Sequence, residues 1–351
     1  MISSGDIFSI RTREDFDRAA LALFAFQAER CEPYARYLSL IGVRPEDVDS
    51  VERIPFMPVE LFKSHDIYCG AEPPEKVFTS SGTTGMVSSR HPMASLSLYE
   101  ECFTRAFEMF CGPVAGWSIY ALLPSYLERE GSSLVYMMDG LIKKSRGGGF
   151  YLYDHDALLG DMRRTDGPKL LLGVSYALLD LAEKGEKLPE GTVVMETGGM
   201  KGRRKELPKQ TMHEILCRGL GVETIHSEYG MAELTSQAYS QGGGIFRCPP
   251  WMRILVRDLN DPFDILGVGR NGGINIADLG NLYSCAFILY GIRPRRPQRN
   301  TRLQSSGAVN WDHIRLFPMR EPSDRVFGIE NRTVCTAAES QWPLLSCGAD
   351  S

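Results

Sequence analysis

Two stretches of the chain place apolar residues at helical spacing. The first begins at Thr12, which can cap a helix together with Asp15. Its apolar residues share one helical face, namely Phe16, Ala20, Leu23 and Phe24. The second stretch begins at Ser95, and its apolar residues also share one face, namely Leu96, Tyr99, Phe103, Phe107 and Phe110. Both patterns predict helices that pack against a core.

Short apolar runs between and after these helices predict buried strands. They are residues 118–123, 170–174, 192–195, 223–225, 254–256 and 274–276. Several runs alternate with helical patterns and end in Gly, Ser or Thr. This order is typical of an α/β sheet that carries its ligand loops at the strand ends.

The alternation stops near residue 289. Residues 289–351 contain nine Arg against six Asp plus Glu, a net charge of +3, whereas the whole chain carries −5 and the first 288 residues therefore carry −8. Five of these Arg lie in residues 291–302, where large apolar side chains are almost lacking. The pattern indicates a body of residues 1–288 and a divergent tail of residues 289–351.

Composition narrows the function classes. The chain has 351 residues, 43% of them hydrophobic, which is enough for one large core or two ordinary ones. Its net negative charge offers no basic field to a nucleic acid. Nine cysteines without a CxxC pair indicate reduced thiols, and the first residues lack the pattern of a secretory signal. The longest apolar stretch, residues 170–182, is too short to cross a bilayer. We therefore expect a cytoplasmic protein without nucleic-acid partner or membrane span.

A loop rich in hydroxyls occupies residues 79–85, with the sequence TSSGTTG. Its two glycines let the backbone curl, and its hydroxyls add donors to the loop amides, which suits phosphate oxygens. The loop lacks the GK[ST] ending of a P-loop, so neither the lysine nor the magnesium-binding hydroxyl of that motif is present. Taken alone, the same residues could form an ordinary turn.

A second candidate stretch is SEYGMAEL, residues 227–234, which follows the run at residues 223–225. The ring of Tyr229 can lie on a flat base, and the carboxylate of Glu233 can reach a metal bound to phosphates. The alternative is a strand-to-helix turn in which Glu233 is a solvated acid of the first helical turn.

Two further sets of residues each have two possible roles. Asp278 ends the run GGINIAD, where its carboxylate can accept from two vicinal hydroxyls, as on a ribose, or can form a turn. Lys201, Arg203 and Arg204 follow two glycines, so they can balance the charge of a phosphate or carboxylate, or they can be the solvated start of a helix.

In this order and at these separations, SSGTTG, EYGMAE and INIADL resemble the phosphate-loop, adenine/magnesium and ribose motifs of the AMP-forming adenylating enzymes. Within that superfamily the chain is similar to acyl-protein synthetases of the LuxE family, which are related to phenylacetate-CoA ligases. Further matching segments are residues 54–63, LLPSYLER at 122–129, ETGGMKGRR at 196–204 and FRCPPW at 246–251. The similarity runs from about Ile7 to Ile288. It implies the large N-terminal domain of the adenylate-forming fold, with mixed β-sheets flanked by helices and a C-terminal subdomain that is truncated or replaced.

The resemblance also implies ATP and Mg²⁺ as ligands, with roles for matching residues. The ATP phosphates would be held by Ser80, Ser81, Gly82, Thr83, Thr84 and Gly85. Thr197, Gly198 and Gly199 would lie against the adenine and acyl ends, and the ring of Tyr229 would stack on the adenine. Glu228, Gly230 and Met231 would also bind the nucleotide. Asp278 would take the ribose hydroxyls, and Glu233 would bind the magnesium. The candidates for a catalytic role are Glu233, Thr83 and Lys201.

The activity that the resemblance implies is ATP-dependent conversion of a carboxylic acid, expected to be a fatty acid, to acyl-AMP, with transfer of the acyl group to a protein thiol. The near alternative is an AMP-forming acyl- or aryl-CoA ligase. An alternative of another class is a nucleotide-binding protein without turnover. The first two differ only in the acceptor thiol.

The chain departs from the family pattern at three places. Relatives outside this branch carry a lysine shortly after the phosphate loop, where Arg90 could supply a charge or be an exposed residue. No lysine follows Lys209, so the usual C-terminal catalytic lysine is missing. Residues 289–351 do not match and are expected to be out of frame, replaced or disordered. In the family the acyl group rests on a cysteine in this region, but Cys335 and Cys347 stand in no matching context.

Overall fold

The computed structural model describes residues 2–80, 87–123, 131–200, 203–205, 207–267 and 269–291, and the backbone of residues 314–316 and 326–329. Its helices are α1 (Ser4–Phe8), α2 (Arg13–Arg30), α3 (Glu32–Leu40), α4 (Leu61–Ser64), α5 (Leu96–Cys111), α6 (Ser133–Lys144), α7 (His155–Arg164), α8 (Ser175–Glu183) and α9 (Lys209–Leu220). Its strands are β1 (Met57–Pro58), β2 (Lys76–Thr79), β3 (Arg90–Met93), β4 (Ser118–Leu122), β5 (Gly147–Tyr151), β6 (Lys169–Val174), β7 (Thr192–Thr197), β8 (Ile225–Tyr229), β9 (Ala238–Ser240), β10 (Ile245–Arg247), β11 (Met252–Arg257), β12 (Gly273–Asp278), β13 (Phe287–Tyr290), β14 (Ile314–Leu316) and β15 (Val326–Ile329).

Helix α2 begins at the cap that the sequence predicts. The Asp15 amide donates to the Thr12 hydroxyl at 3.1 Å, and the Thr12 amide donates to the Asp15 carboxylate at 3.0 Å. This capping box satisfies two amides that a helix leaves open, and an N-cap of this kind stabilises a helix by about 1 kcal/mol. The predicted apolar face is buried, and Gln27 beside it donates to the Asn281 carbonyl at 2.7 Å.

The large sheet has the order β14-β15-β10-β9-β8-β7-β6-β4-β5. Strands β5, β4, β6, β7 and β8 are parallel, and β8, β9 and β10 pair antiparallel. Three predicted runs lie in β4, β6 and β7 and are confirmed. The prediction of a strand at residues 223–225 is wrong in position, because β8 extends from Ile225 to Tyr229. Glu228 and Tyr229 are therefore strand residues.

The second sheet has the order β1-β13-β12-β11. The predicted runs at residues 254–256 and 274–276 lie in β11 and β12, which pair antiparallel. Strand β13 lies between β12 and β1, and the Val59 amide donates to the Leu289 carbonyl at 3.0 Å. Strand β13 thus extends two residues past residue 288, to Tyr290.

The mixed α/β architecture with sheets flanked by helices is confirmed. Two segments of the tail form strands, since β15 pairs antiparallel with β10 and β14 pairs with β15. The other residues from 292 onward lie outside the described part, so the out-of-frame interpretation stays a prediction. Among the described residues, every helix is too short or too polar to span a lipid bilayer.

Candidate active site

The stem of the candidate phosphate loop is the antiparallel hairpin of β2 and β3, in which Thr79 faces Arg90. Just beyond this pair, the Ser80 amide donates to the Ser89 carbonyl at 3.1 Å, and the Ser89 amide donates to the Ser80 hydroxyl at 2.8 Å. The two ends of the loop are therefore held together at its base. Of the predicted phosphate contacts, Ser81, Gly82, Thr83, Thr84 and Gly85 lie outside the described residues.

Glu233 lies directly against this stem. Its side chain is only 6% exposed. Burial raises the pKa of the Glu233 carboxyl, while the Ser89 hydroxyl and the charge of Lys63 act to lower it. A ring nitrogen of His91 on β3 donates to the Ala232 carbonyl at 2.8 Å, which fixes the turn that carries Glu233. The alternative of a solvated first-turn acid is wrong, because the residue is buried and precedes no helix.

Thr197 at the end of β7 joins Glu228 of β8, its hydroxyl donating to the Glu228 carboxyl. Burial raises the pKa of Glu228 to about 7, although the Thr197 hydrogen bond opposes this shift. The next residue, Gly198, has φ +66° and is exposed. Because only glycine adopts this left-handed conformation readily, the backbone can turn sharply at the sheet edge. The structure thus brings together Thr197 and Glu228, two of the residues expected at the nucleotide.

Tyr229 follows at the end of β8, 9% exposed. Its hydroxyl donates to the Met231 sulfur at 3.2 Å, and its ring meets Phe246 edge-on at a centroid distance of 6.2 Å. Gly230 lies above the Glu228 carboxyl, where a Cβ atom would approach Oε1 to 2.6 Å. The glycine therefore lets the chain turn close over this acid.

Asp278 is fully buried at the end of β12 and accepts four hydrogen bonds. The amides of Thr235, Ser236 and Gly280 donate at 2.9, 2.8 and 3.0 Å, and the Ser236 hydroxyl donates at 2.6 Å. These bonds tie β12 to the segment that follows Glu233. In this conformation both carboxylate oxygens are occupied by protein donors, so a ribose hydroxyl would have to displace one of them.

An ion pair between a buried acid and a partly buried lysine lies beside the site, and the motifs did not indicate it. Glu196 on β7 meets the Lys209 ammonium at 2.8 Å, and the Ser175 hydroxyl reaches both the Glu196 carboxylate and the Gly198 carbonyl at 3.2 Å. Burial alone would raise the pKa of Glu196, but Lys209, His213 and Ser227 together lower it to about 2. The signal in the sequence was an acid within an apolar strand, but its partner is 13 positions away at the start of α9.

The basic residues after Gly199 have different surroundings in the structure. Arg204 donates to Asp180 at 2.9 Å and to Glu183 at 2.6 Å, both on α8, so it has a structural role. The Arg203 guanidinium lies 5.1 Å from the centre of the Tyr176 ring. Lys201 lies outside the described residues. Arg90 forms an exposed ion pair with Asp66 at 3.0 Å, in agreement with the exposed alternative.

The side chains of the described residues can be compared with those that usually bind magnesium. The described residues hold no group of three or more side chains placed to cage a metal. Mg²⁺ usually binds through one or two carboxylates together with substrate phosphates and water. One buried carboxylate, Glu233, against the stem of a candidate phosphate loop fits that mode of binding.

Three distant stretches therefore contact one segment, residues 228–236. Ser89 joins the loop stem to Glu233, and Thr197 joins β7 to Glu228. Asp278 joins the second sheet to Thr235 and Ser236, which follow Glu233. This convergence is what a nucleotide site built from these motifs requires.

We expect Lys209→Met to lower the free energy of unfolding by about 3 kcal/mol at pH 7, because it leaves the buried Glu196 carboxylate without its cation. In the parent protein the lowered pKa of Glu196 contributes stability that is full above pH 4.5 and is lost as the pH falls toward 2. In the Lys209→Met variant, the loss of stability between pH 4.5 and pH 2 should be smaller. Denaturant unfolding at pH 7 and pH 3 measures both effects.

The matched control is Lys184→Met, which removes an exposed ion pair with Asp156. Exposed pairs contribute about 0–1 kcal/mol, so this variant should unfold much like the parent. Equal stability of the two variants at pH 7 would contradict a stabilising role of the buried pair.

Solved structures with a similar fold include two states of 2-hydroxyisobutyryl-CoA ligase. The open conformation in complex with 2-HIB-AMP and CoA matches with a TM-score of 0.60 at 14% identity, over 80% of this chain and 70% of that chain. The thioesterification state with the same two ligands matches with a TM-score of 0.63 at 13% identity, over 91% of this chain and 68% of that chain. At these identities the likeness shows the fold, which is that of the large domain of adenylate-forming enzymes. No family model and no curated protein sequence matches the chain.

Proposed function

We propose that this protein activates a carboxylic acid with ATP, forming acyl-AMP and pyrophosphate. The observation that carries the proposal is that Ser89 of the loop stem, Thr197 of β7 and the buried Asp278 of β12 each contact residues 228–236, the segment that carries Glu233. The fold shared with adenylate-forming enzymes supports it.

The acid must be activated before it can react with a thiol, because a carboxylate is a poor electrophile. A carboxylate oxygen of the substrate attacks the α-phosphorus of ATP, and the bond from that phosphorus to the pyrophosphate oxygen breaks. The loop amides and hydroxyls that follow Ser80 would hold the phosphates, with Thr83 and Lys201 proposed to contact the reacting atoms. Glu233 would hold magnesium, which neutralises charge on the phosphates when it is bound.

The remaining residues would position the nucleotide. Tyr229 would stack on the adenine. The edge of the base would be lined by Thr197, Gly198, Gly199 and Glu228. Gly230 and Met231 would complete the turn that follows Tyr229. Asp278 would hold the segment that carries Glu233, and it would accept from the ribose only if one internal donor moves. The protein's contribution to this half-reaction is positioning and electrostatics.

In the second half-reaction a thiolate would attack the acyl carbon and AMP would leave. We propose a protein thiol as the acceptor and a fatty acid as the substrate, on the resemblance to the LuxE family. The solved structures above favour coenzyme A as the alternative acceptor, since their ligase is bound to CoA.

The test is ATP–pyrophosphate exchange with a panel of short, aryl and long-chain acids. We expect exchange that depends on magnesium and on the added acid, with the long-chain members most active. Nucleotide binding without exchange for any acid would contradict the proposal and would indicate a binding protein without turnover.

The acceptor is decided with radiolabelled acid and ATP. Label that remains on protein after denaturation and is released by hydroxylamine indicates a protein thioester. Label that appears on coenzyme A instead would contradict the protein acceptor, while it would leave the adenylation step intact.

A further inference from the structure

The segment that carries Glu233 has no regular secondary structure of its own. Residues 230–237 lie between β8 and β9 and belong to no helix or strand, so no ladder of backbone hydrogen bonds fixes their position. Residues 233–237 are nevertheless buried, and buried backbone groups need hydrogen-bond partners. Side chains from other elements supply these partners and therefore hold the segment in place.

Asn281, in the loop between β12 and β13, contacts the backbone of Glu233 itself. Its side-chain nitrogen donates to the Glu233 carbonyl at 2.9 Å and to the Cys285 carbonyl at 3.1 Å. Its side-chain oxygen accepts from the Thr235 hydroxyl. Asn281 is only 2% exposed. One buried amide group thus holds the segment at two points, at the acid and two residues after it.

These contacts allow only one orientation of the Asn281 amide. An asparagine side chain has a donating end and an accepting end of similar shape. Two carbonyl oxygens face one end, so that end is the nitrogen, and the Thr235 hydroxyl donates to the other. The reversed orientation would set an oxygen against two carbonyl oxygens. The Thr235 hydroxyl therefore helps to orient the amide toward Glu233.

Gln27 of α2 holds the loop that carries Asn281. Its side-chain nitrogen donates to the Asn281 carbonyl at 2.7 Å, and its side-chain oxygen accepts from the Ala286 amide at 2.9 Å. Gln27 is fully buried. A chain of hydrogen bonds thus runs from helix α2 through this loop and the Asn281 amide to the backbone of Glu233.

Other side chains hold the same segment at different points. His91 contacts the Ala232 carbonyl at 2.8 Å, before the acid, and Asp278 accepts from two amides after it. Of these three side chains, only Asn281 bonds to the backbone of Glu233. The direction in which the acid leaves the segment is therefore most directly determined by Asn281.

We propose that Asn281 is a positioning residue for Glu233, which it holds in the direction that magnesium binding requires. This inference rests on the proposed function, in which Glu233 holds the metal. Mg²⁺ demands a near-ideal octahedral arrangement of its ligands, so a carboxylate on an irregular segment needs support behind it. Residues that orient a metal ligand without touching the metal change metal affinity or activity by about 10–100-fold when they are replaced.

The first measurement is calorimetric binding of Mg²⁺–ATP, without any acid so that no turnover occurs, beside binding of AMP without metal. Asn281→Leu removes both ends of the amide, and Thr235→Val removes only the hydroxyl that orients it. We expect Asn281→Leu to lower the affinity for Mg²⁺–ATP by about 10–100-fold, and Thr235→Val to lower it less. The affinity for AMP should stay within about twofold in both variants, because AMP depends far less on the metal. Equal losses for the two ligands would contradict a role toward the metal-binding acid.

The matched control is Asn275→Leu. Asn275 on β12 is also a buried asparagine, 1% exposed, and neither atom of its side-chain amide is hydrogen-bonded in the described part of the chain. The same substitution there removes a buried amide without touching the segment of Glu233. Binding of Mg²⁺–ATP should therefore stay within about twofold of the parent. A loss as large as that of Asn281→Leu would indicate a general disturbance and overturn the inference.

Amide hydrogen exchange of the unliganded protein, measured by mass spectrometry, tests the positioning without any nucleotide. Peptides covering residues 228–237 should exchange faster in Asn281→Leu and in Thr235→Val than in the parent, because the segment has lost its support. Peptides from β6 should exchange as in the parent. Unchanged exchange of residues 228–237 in both variants would overturn the inference. If Asn281→Leu does not fold, Thr235→Val carries both measurements.

Glu233→Gln separates this inference from the proposed function. Weakened binding of Mg²⁺–ATP in Glu233→Gln, together with parent-like binding in Asn281→Leu and Thr235→Val, would overturn the positioning role alone. Parent-like binding of Mg²⁺–ATP in Glu233→Gln would overturn the proposed role of the acid, and the role of Asn281 with it.

Discussion

Glu233→Gln is expected to lower magnesium-dependent ATP–pyrophosphate exchange by about 10²–10³-fold, with little change in the affinity for AMP. The amide keeps the shape of the side chain and can keep its contact with Ser89, but it loses the negative charge that a magnesium ion needs. AMP carries no β- and γ-phosphates and depends on that ion far less than ATP does. Exchange rates at saturating acid and calorimetric AMP binding give the two quantities.

Glu60→Gln is the matched control for this experiment. Glu60 is exposed, and its charge acts on Glu233 through space. Its replacement should leave exchange within about twofold of the parent, since surface charges interact weakly through water. A parallel loss of AMP binding and exchange in Glu233→Gln would contradict the assigned role, because it would indicate a disturbed pocket.

Asp278→Ala is expected to lower the free energy of unfolding by about 3–5 kcal/mol. Truncation leaves three backbone amides and the Ser236 hydroxyl without their acceptor inside the protein. Each unsatisfied buried donor costs about 1–3 kcal/mol before the surroundings relax. Chemical unfolding of the parent and variant measures the difference.

The control for Asp278 is Asp258→Ala. The Asp258 carboxylate also accepts from backbone amides, those of Asn260 and Asp261, but in a turn open to water. Its loss should cost about 1 kcal/mol, because water can replace the acceptor. If Asp278→Ala were as stable as the parent and only required more ATP, the carboxylate would act on the ribose instead of on the fold.

The sequence predicted best where one local pattern decides the structure. The helix from Thr12 follows from its capping box and its apolar face, and the strand at β6 follows from a run that is buried on both sides. Strand β5 was missed, because its sequence GGGFY carries three glycines and does not read as a strand. Strand β8 was placed too early, because Ser227 and Glu228 interrupt the apolar pattern that sequence reading relies on.

For the candidate site, the motifs indicated which stretches would meet, and the contacts between them required the structure. The hydrogen bond from Thr197 to Glu228 spans 31 positions, and the Ser236 amide donates to Asp278 across 42 positions. The local spacing of apolar residues gives no information about such contacts. The burial of Glu233 could not be foreseen either, because it results from packing of the β2–β3 hairpin on a distant turn.

Strand β13 also limits how far the chain can be shortened for expression. It supplies the middle partner for β1 and β12, and its last pairs involve Leu289 and Tyr290. A stop codon after residue 288 would remove half of the strand and leave β1 with an open edge next to an apolar surface. Exposed edges of this kind recruit other chains. Recombinant fragments designed for crystallisation should therefore extend through Gly291, and through Ile329 if β15 is to keep covering the edge of β10.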